Sequence, residues 1–125
     1  MPSLKLYGGY PYDLATVHRK VTYKRPGNYA LGHFQSTDRG KRFVVCYVGR
    51  GDTDLKARLL RRLHDSPRHT HFQFAYATSP KAAFESECEH YHAFHGSAEF
   101  ENQIHPARPA GSRWRCPRCD VFDAR

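Results

Sequence analysis

The sequence predicts an α+β fold in which helices flank a small, three-stranded and mainly antiparallel sheet. Three observations support the prediction. Two β-prone runs are separated by turn-forming residues at 37–40, a leucine-rich helical segment follows them, and a third alternating run leads into a second helical segment. The predicted order is therefore hairpin, helix, strand, helix. The 125 residues suffice for a single domain with one modest core.

The hairpin comes first in this order. Tyr29 and Leu31 share one face of residues 28–36, which alternate in part as a strand does. Residues 37–40 read Thr-Asp-Arg-Gly, which is typical of a hairpin turn. Residues 42–49 contain Phe-Val-Val-Cys-Tyr-Val, whose high β-propensity predicts a strand in the centre of the sheet.

The first helix follows the hairpin, with Asp52 or Thr53 as its expected N-cap. Its core face is a row of leucines spaced by four residues: Leu55, Leu59 and Leu63. Arg58 and Arg62 lie along one edge of this row of leucines. Lys56 and Arg61 are expected to point to solvent.

The third strand and the second helix are adjacent in the chain. Residues 71–77, HFQFAYA, alternate aromatic with smaller or polar side chains and predict a strand. Ser79 is the expected N-cap of the helix, with Pro80 in the first helical position. The helix is expected to continue to about His95, because Gly96 can end it.

The two ends of the chain carry weaker signals. Residues 1–26 form an N-terminal extension that could hold a short tyrosine-rich strand, and residues 16–23 could add another extended piece. Residues 27–106 form the predicted domain. Residues 107–125 form a C-terminal tail whose prolines and glycine predict irregular structure.

The composition points to a polyanionic partner. Lys and Arg number 20 against 12 Asp and Glu, which gives a net charge of +8. A basic surface on so small a domain favours nucleic acid. No apolar stretch approaches the roughly 20 residues of a membrane span, and the N-terminus lacks the apolar region of a signal peptide. We therefore expect a soluble, cytoplasmic (intracellular) protein without a membrane partner.

One carboxylate of the second helix lies among apolar residues. The apolar stripe of this helix is formed by Ala83, Phe84, Cys88, Tyr91 and Phe94. Glu85 and Glu89 fall opposite the stripe, whereas Glu87 falls within it. Burying a carboxylate costs several kcal/mol unless something compensates it. A metal ion, a basic group or protonation could do so, and a plain buried Glu–Arg pair is an equal alternative.

The cysteines divide into two pairs. Cys46 and Cys88 lie in apolar segments and are expected to be small buried side chains. Cys116 and Cys119 form a C-x-x-C that resembles half of a zinc knuckle. Its missing ligands could be His105, another histidine or a second chain, and a free-thiol tail is the alternative. A weaker transition-metal candidate lies on the second helix, where the histidines spread around the axis: Glu87, Glu89, His90, His92 and His95.

Short motifs follow one another between residues 27 and 106. They are Gly27-Asn28-Tyr29-Ala30-Leu31, Tyr47-Val48-Gly49, Leu55-Lys56-Ala57-Arg58-Leu59, the helix segment from Ala83 to Glu87, and Asn102 before Pro106. Their order and spacing resemble the GIY-YIG nuclease superfamily, with Asn28 in the place of the isoleucine. The resemblance implies three antiparallel strands flanked by helices. It also implies hydrolysis of nucleic-acid phosphodiesters with one divalent metal ion, Mg²⁺ or Mn²⁺.

The resemblance also implies roles for individual residues. Glu87 would bind the metal ion, with water and phosphate oxygens completing the shell. Arg58 would contact the scissile phosphate through its planar set of donors. Tyr29, helped by Tyr47, would orient or deprotonate the attacking water. A tyrosine pKa near 10 means that a tyrosine base needs positive charge beside it.

Other residues are candidates for the same site. Family members often carry a histidine soon after the helix arginine, and the candidates for a general base or phosphate contact are His64, His69 and His71. The residues expected to contact substrate are Gly49, Arg50, Lys56, Arg62 and Asn102. Asn102 could instead hold a loop or the water shell of the metal ion, or it could be a plain turn residue.

The predicted activity is that of a small endonuclease, a metal-dependent hydrolase. We expect it to act on DNA rather than RNA with structure-dependent or weak sequence specificity, and it could work as a homodimer. The alternative is a non-catalytic, basic nucleic-acid-binding module on the same fold, whose aromatic residues stack on bases. A third alternative is a structural module that keeps the fold without chemistry.

Overall fold

The computed structural model describes residues 5–65 and 67–122. Its elements are β1 (Tyr7–Pro11), α1 (Leu14–Lys20), β2 (Gly27–Thr37), β3 (Gly40–Gly51), α2 (Leu55–Asp65), β4 (His71–Tyr76) and α3 (Pro80–Phe94). The predicted α+β class is confirmed. The sheet, however, has four strands in the order β1-β4-β2-β3 rather than three. All neighbouring strands are antiparallel.

The additional strand and an additional helix come from the N-terminal segment. β1 pairs with β4, and its register shifts between Gly8 and Tyr10, so the glycines bend this strand without ending it. Residues 16–23 were expected to be extended, and this is wrong, because α1 covers most of them. Asp13 caps α1 by accepting the Thr16 N–H at 2.8 Å, which satisfies a first-turn donor.

β3 forms the edge of the sheet, whereas its β-propensity predicted a central position. The central neighbour is β2, which pairs with both β3 and β4. The outer side of β3 is covered by the segment after α3. The Glu101 N–H donates to the Cys46 carbonyl at 2.7 Å. The Asn102 side chain accepts the Val48 N–H and donates to the Val48 carbonyl, both at 2.9 Å.

The helices pack on both faces of the sheet. The larger core joins residues of the N-terminal segment, the sheet and α2: Tyr12, Val17, Val21, Tyr29, Leu31, Leu55, Leu59 and Phe72. Ala30, Val45 and Val48 form a second cluster, against which Phe94 of α3 packs. The sheet is therefore buried on both sides at the end of β3 where the candidate site lies.

The predicted bounds of α3 are confirmed, and the cap of α2 is corrected. Ser79 caps α3 by accepting the Ala82 N–H at 3.0 Å. In α2 the cap is Asp54, which accepts the Ala57 N–H at 3.1 Å, in place of the expected Asp52 or Thr53. Within residues 5–65 and 67–122, no helix has the length and apolar character needed to cross a bilayer.

Candidate functional site

A cavity of about 280 Å³ opens where the ends of β2 and β3 meet α2 and α3. Its lining consists of Tyr29, Tyr47, Gly49, Arg50, Arg58, Arg61, Arg62, Asp65, Glu87 and Ala107. The four residues predicted as the main catalytic groups are among them: Tyr29, Tyr47, Arg58 and Glu87. The fold thus brings these residues together from two strands and two helices.

The sheet supplies the two tyrosines. Tyr29 lies opposite Gly49 in the β2–β3 register, and Tyr47 lies opposite Leu31. The two tyrosine rings are stacked, with centroids 6.3 Å apart and an interplanar angle of 27°. A Cβ atom at residue 49 would collide with Cζ and Oη of Tyr29. Gly49 is therefore required for the position of the Tyr29 ring, which packs directly against it.

The surroundings of Tyr29 favour its protonated form. Tyr29 is only 2% exposed. Burial raises the pKa of Tyr29 far above that of a free tyrosine, and Tyr47 raises it further. The positive charges of Arg62 and Arg58 lower this pKa only in part. The Tyr29 hydroxyl is thus protonated at neutral pH in these surroundings and can donate a hydrogen bond.

α2 lines the cavity with three arginines. Nε of Arg58 donates to the Arg50 carbonyl at 3.3 Å, which turns this side chain toward the end of β3. The Arg62 guanidinium lies 3.6 Å from the centroid of the Tyr47 ring. Nε of Arg62 is buried and has no hydrogen-bond partner in the described part of the chain. Arg61 is largely exposed and lies 3.8 Å from the Asp65 carboxylate.

Glu87 is buried in an ion pair on the α3 side of the cavity. Its side chain is 13% exposed, and its Oε1 accepts Nη1 of Arg50 at 2.6 Å. Arg50 also donates from Nε to Asp52 at 2.7 Å and from Nη2 to the Ala107 carbonyl at 2.7 Å. Burial raises the pKa of Glu87, and the Arg50 charge and hydrogen bond offset this only in part. The buried Glu–Arg pair anticipated from the sequence is therefore present.

Asn28 fixes α3 against the sheet close to Glu87. This residue is buried, and its Nδ2 donates to the Ala83 carbonyl at 2.8 Å. An isoleucine could not make this bond. Asn28 thus has a structural role of its own at this position.

Five predicted site residues do not line the cavity, and one of them is His71, which begins β4. Lys56 is buried, contrary to the expectation of solvent exposure, and its Nζ donates to the His18 carbonyl at 3.0 Å. His64 is 89% exposed and pairs with Asp65 at 3.2 Å. His69 lies beside Glu101, 3.3 Å from its carboxylate. Asn102 is occupied with the backbone of β3, so the loop-holding role is the one its contacts support.

Other residues of the cavity were not predicted to belong to it. Asp65 and Arg61 are spaced by four residues on α2, a signal that could have linked them to the arginine edge. The carbonyl of Ala107 also reaches the cavity, where it accepts Arg50. Sequence patterns reflect side chains, so they could not predict a contact that is made by a backbone carbonyl in an irregular segment.

The donor set of the cavity fits a magnesium ion that takes one protein ligand. Mg²⁺ often binds one or two carboxylates and completes its shell with water and substrate phosphate. Glu87 can supply the carboxylate through Oε2, the oxygen outside its bond to Arg50 Nη1. Because arginines surround this carboxylate, a bound phosphate would lower the electrostatic cost of placing a cation there.

Among the residues that the structure describes, two further groups of side chains could each hold a metal ion. The first comprises His92, His105, Cys116 and Cys119, and the second comprises Cys46, His69 and Glu101. In each group the candidate ligand atoms lie within 4.8 Å of one another. The sequence predicts His105 as a possible zinc ligand beside Cys116 and Cys119. It instead places His92 in the weaker metal-site candidate on α3.

Comparison of the chain with known protein families, curated proteins and solved structures finds no match.

Proposed function

We propose that this protein is a GIY-YIG-type endonuclease that hydrolyses phosphodiester bonds of nucleic acid, DNA rather than RNA, with Mg²⁺ or Mn²⁺. The observation that carries the proposal is the single cavity that collects Tyr29, Tyr47, Arg58 and Glu87. The order of the hairpin, α2, β4 and α3 also supports it, because these are the elements that the family pattern implies. The N-terminal strand and helix are additions to that pattern.

The arginines of α2 bind the substrate phosphate. Arg58 and Arg61 are exposed at the cavity, and Arg62 has an unpaired buried Nε. Guanidinium groups bind phosphate oxygens with paired, charge-assisted hydrogen bonds. The stacking of Arg62 on Tyr47 limits the rotation of its guanidinium, so less entropy is lost when a phosphate binds.

Tyr29 orients the substrate rather than removing a proton. Its raised pKa keeps the hydroxyl protonated at neutral pH, so it donates to an oxygen of the phosphate or of the attacking water. The stacked Tyr47 ring and the missing side chain of Gly49 fix the direction of this hydroxyl. We therefore keep the orienting role for Tyr29 and drop the role of general base.

Glu87 is the residue that would hold the metal ion, which supplies stabilisation of the negative charge developing in the reaction. Arg50 keeps this carboxylate in place through Nη1. Arg50 itself is held by Asp52 and the Ala107 carbonyl, which fixes the guanidinium that contacts Glu87. Arg50 thus acts as a positioning residue for Glu87.

A non-catalytic binding module is the second candidate, and one observation favours it. The 2.6 Å ion pair with Arg50 satisfies the buried Glu87 carboxylate without any metal ion. In that case the arginines and tyrosines would bind a phosphate backbone and stack on bases without cleaving.

Cleavage assays separate the two candidates. Labelled single-stranded, duplex and branched DNA, and RNA, are incubated with the protein with and without Mg²⁺. We expect cleavage of DNA that requires the metal. Glu87→Gln keeps the shape of the side chain but removes its charge, and it should lower the rate by at least about 10²-fold. Arg58→Ala should lower it by about 10- to 10²-fold.

Glu85→Gln is the matched control, because Glu85 is a partly exposed acid of the same helix and does not line the cavity. Its cleavage rate should equal that of the unchanged protein. Cleavage that persists in Glu87→Gln would refute the assigned site. Tight, salt-sensitive binding without cleavage under any divalent metal would instead favour the binding module.

A further inference from the structure

The segment after α3 is held in place without regular secondary structure. Residues 95–122 contain neither helix nor strand. They pack on α3 through a small cluster in which Phe84 contacts Trp114 and Phe122, with ring centroids 6.2 and 5.9 Å apart. So small a core provides little stability by itself, and short irregular segments commonly rely on a disulfide or a metal ion.

Four side chains that can bind a metal ion converge at the centre of this segment. His92 comes from the last turn of α3, His105 from the following loop, and Cys116 and Cys119 from the C-x-x-C. One ligand atom from each residue lies within 4.8 Å of the other three. Nε2 of His105 and Sγ of Cys119 are 3.4 Å apart. Neighbouring ligands of tetrahedral zinc, at bond lengths of roughly 2.0 to 2.3 Å, lie about 3.5 Å apart.

The contacts around the group leave its ligand atoms available to a metal ion. Nδ1 of His105 lies 2.9 Å from the Pro106 carbonyl, which can only accept, so Nδ1 carries the proton. Nε2 of His105 is then free to bind a metal ion. Nε2 of His92 is buried and has no hydrogen-bond partner within residues 5–65 and 67–122. The Arg118 N–H donates to Sγ of Cys116 at 3.4 Å, an interaction that stabilises a thiolate.

We propose that His92, His105, Cys116 and Cys119 bind a single structural Zn²⁺ ion that fastens the C-terminal segment to the end of α3. Two thiolates and two imidazoles in a tetrahedral arrangement favour zinc over magnesium or calcium. Four protein ligands leave no open position, so the ion is structural.

The proposed zinc site also supports the cavity described above. Ala107 lies two residues after His105, and its carbonyl accepts Nη2 of Arg50 at 2.7 Å. A metal ion that fixes His105 therefore helps to fix Arg50 and, through it, Glu87. The zinc proposal does not depend on the nuclease proposal, because the ligands lie outside the cavity lining.

Metal analysis tests the proposal directly. Elemental mass spectrometry of protein purified without chelator should find about one zinc ion per chain. Cobalt added to the metal-free protein should give the absorption bands of tetrahedral Co²⁺ with a thiolate charge-transfer band. Cys116→Ser, Cys119→Ser and His92→Asn should each lose most of the bound zinc.

Two variants serve as matched controls. Cys46→Ser removes a cysteine of the competing group with His69 and Glu101, and His95→Asn removes an exposed histidine three residues after His92. Both should keep the zinc. Loss of zinc in Cys46→Ser with retention in Cys119→Ser would overturn the proposal, as would the absence of both zinc and a cobalt spectrum in the unchanged protein.

Alkylation of the unchanged protein avoids variants that fail to fold. Zinc should slow the reaction of Cys119, the partly exposed cysteine of the pair, with a thiol reagent at least about 10-fold, because the metal-bound thiolate is shielded. Cys46, Cys88 and Cys116 are buried and should react slowly with or without zinc. Equal reactivity of Cys119 with and without zinc, or a Cys116–Cys119 disulfide in the purified protein, would refute the site.

Discussion

Two buried tyrosines, Tyr12 and Tyr29, differ in what their hydroxyl groups contact. Both belong to the same core, and burial raises the pKa of both. The Tyr12 hydroxyl donates to the Leu59 carbonyl at 2.5 Å and thereby ties the chain before α1 to α2. The Tyr29 hydroxyl instead lies at the cavity among arginines. The first hydroxyl serves the fold, whereas the second is available to a substrate.

The variants Tyr29→Phe and Tyr12→Phe should separate these two roles. Tyr29→Phe should lower the rate of DNA cleavage by about 10²-fold with a small change in stability, because only a substrate contact is lost. Tyr12→Phe should lower the free energy of unfolding by about 1 kcal/mol and leave cleavage unchanged. Cleavage rates and urea unfolding curves measure both effects. Full activity of Tyr29→Phe would rule out the orienting role.

For single residues, the sequence predicts which face of a helix a side chain occupies better than it predicts which residue that side chain contacts. The 3.6-residue period locates Glu87 in the apolar stripe of α3, and its side chain is indeed only 13% exposed. Its partner Arg50 could not be identified, because the pair depends on how α3 is placed against the end of β3. Lys56 was expected in solvent for a related reason. The helix that covers it, α1, was not predicted, and Lys56 lies over the Tyr23 ring at 4.2 Å.

At the scale of the elements, the edge strand β3 is completed by a contact that is remote in sequence. Asn102 offers its side-chain amide to both backbone groups of Val48 and so continues the ladder of the sheet for one residue. Local patterns predicted β2, β3, β4, α2 and α3. They did not predict the order of the strands, because pairing between β1 and β4 is set by the whole fold rather than by either segment.

Asn102→Ala should lower the free energy of unfolding by about 1 to 3 kcal/mol, because it leaves both backbone groups of Val48 without their partner. Gln103→Ala is the matched control, since the neighbouring Gln103 is exposed, and it should change stability by less than about 0.5 kcal/mol. Chemical denaturation measures both variants. Equal stability of Asn102→Ala and the unchanged protein would contradict the role assigned to this side chain.

The cavity carries part of the positive charge of the whole molecule. The net charge is +8, and four arginines line the cavity beside two acids, one of which is already paired with Arg50. The excess of positive over negative side chains at the cavity favours a polyanion over a small neutral ligand. The sequence predicted this attraction from composition alone, but the concentration of arginines at one opening required the fold.

Binding of duplex DNA should therefore weaken steeply with salt. Arg58→Ala and Arg62→Ala should each reduce the slope of log affinity against log salt concentration by about 0.9, as expected when one phosphate contact is lost. Arg39→Ala is the control, because Arg39 lies in the exposed turn between β2 and β3 and should leave the slope unchanged. Affinity measured by fluorescence anisotropy over a range of salt concentrations gives these slopes. A slope near zero for the unchanged protein would contradict a phosphate partner.

The covered edge of β3 also bears on self-association. An unpaired strand edge is a template on which a second copy of the chain can add its own strand, which is a common origin of aggregates. In this protein the segment with Glu101 and Asn102 blocks one half of that edge, and the exposed Lys41 and Arg42 place positive charge on the other half. Ending the chain before residue 101 would uncover the blocked half, and size-exclusion chromatography should then show larger assemblies for the fragment than for the longer chain at equal concentration.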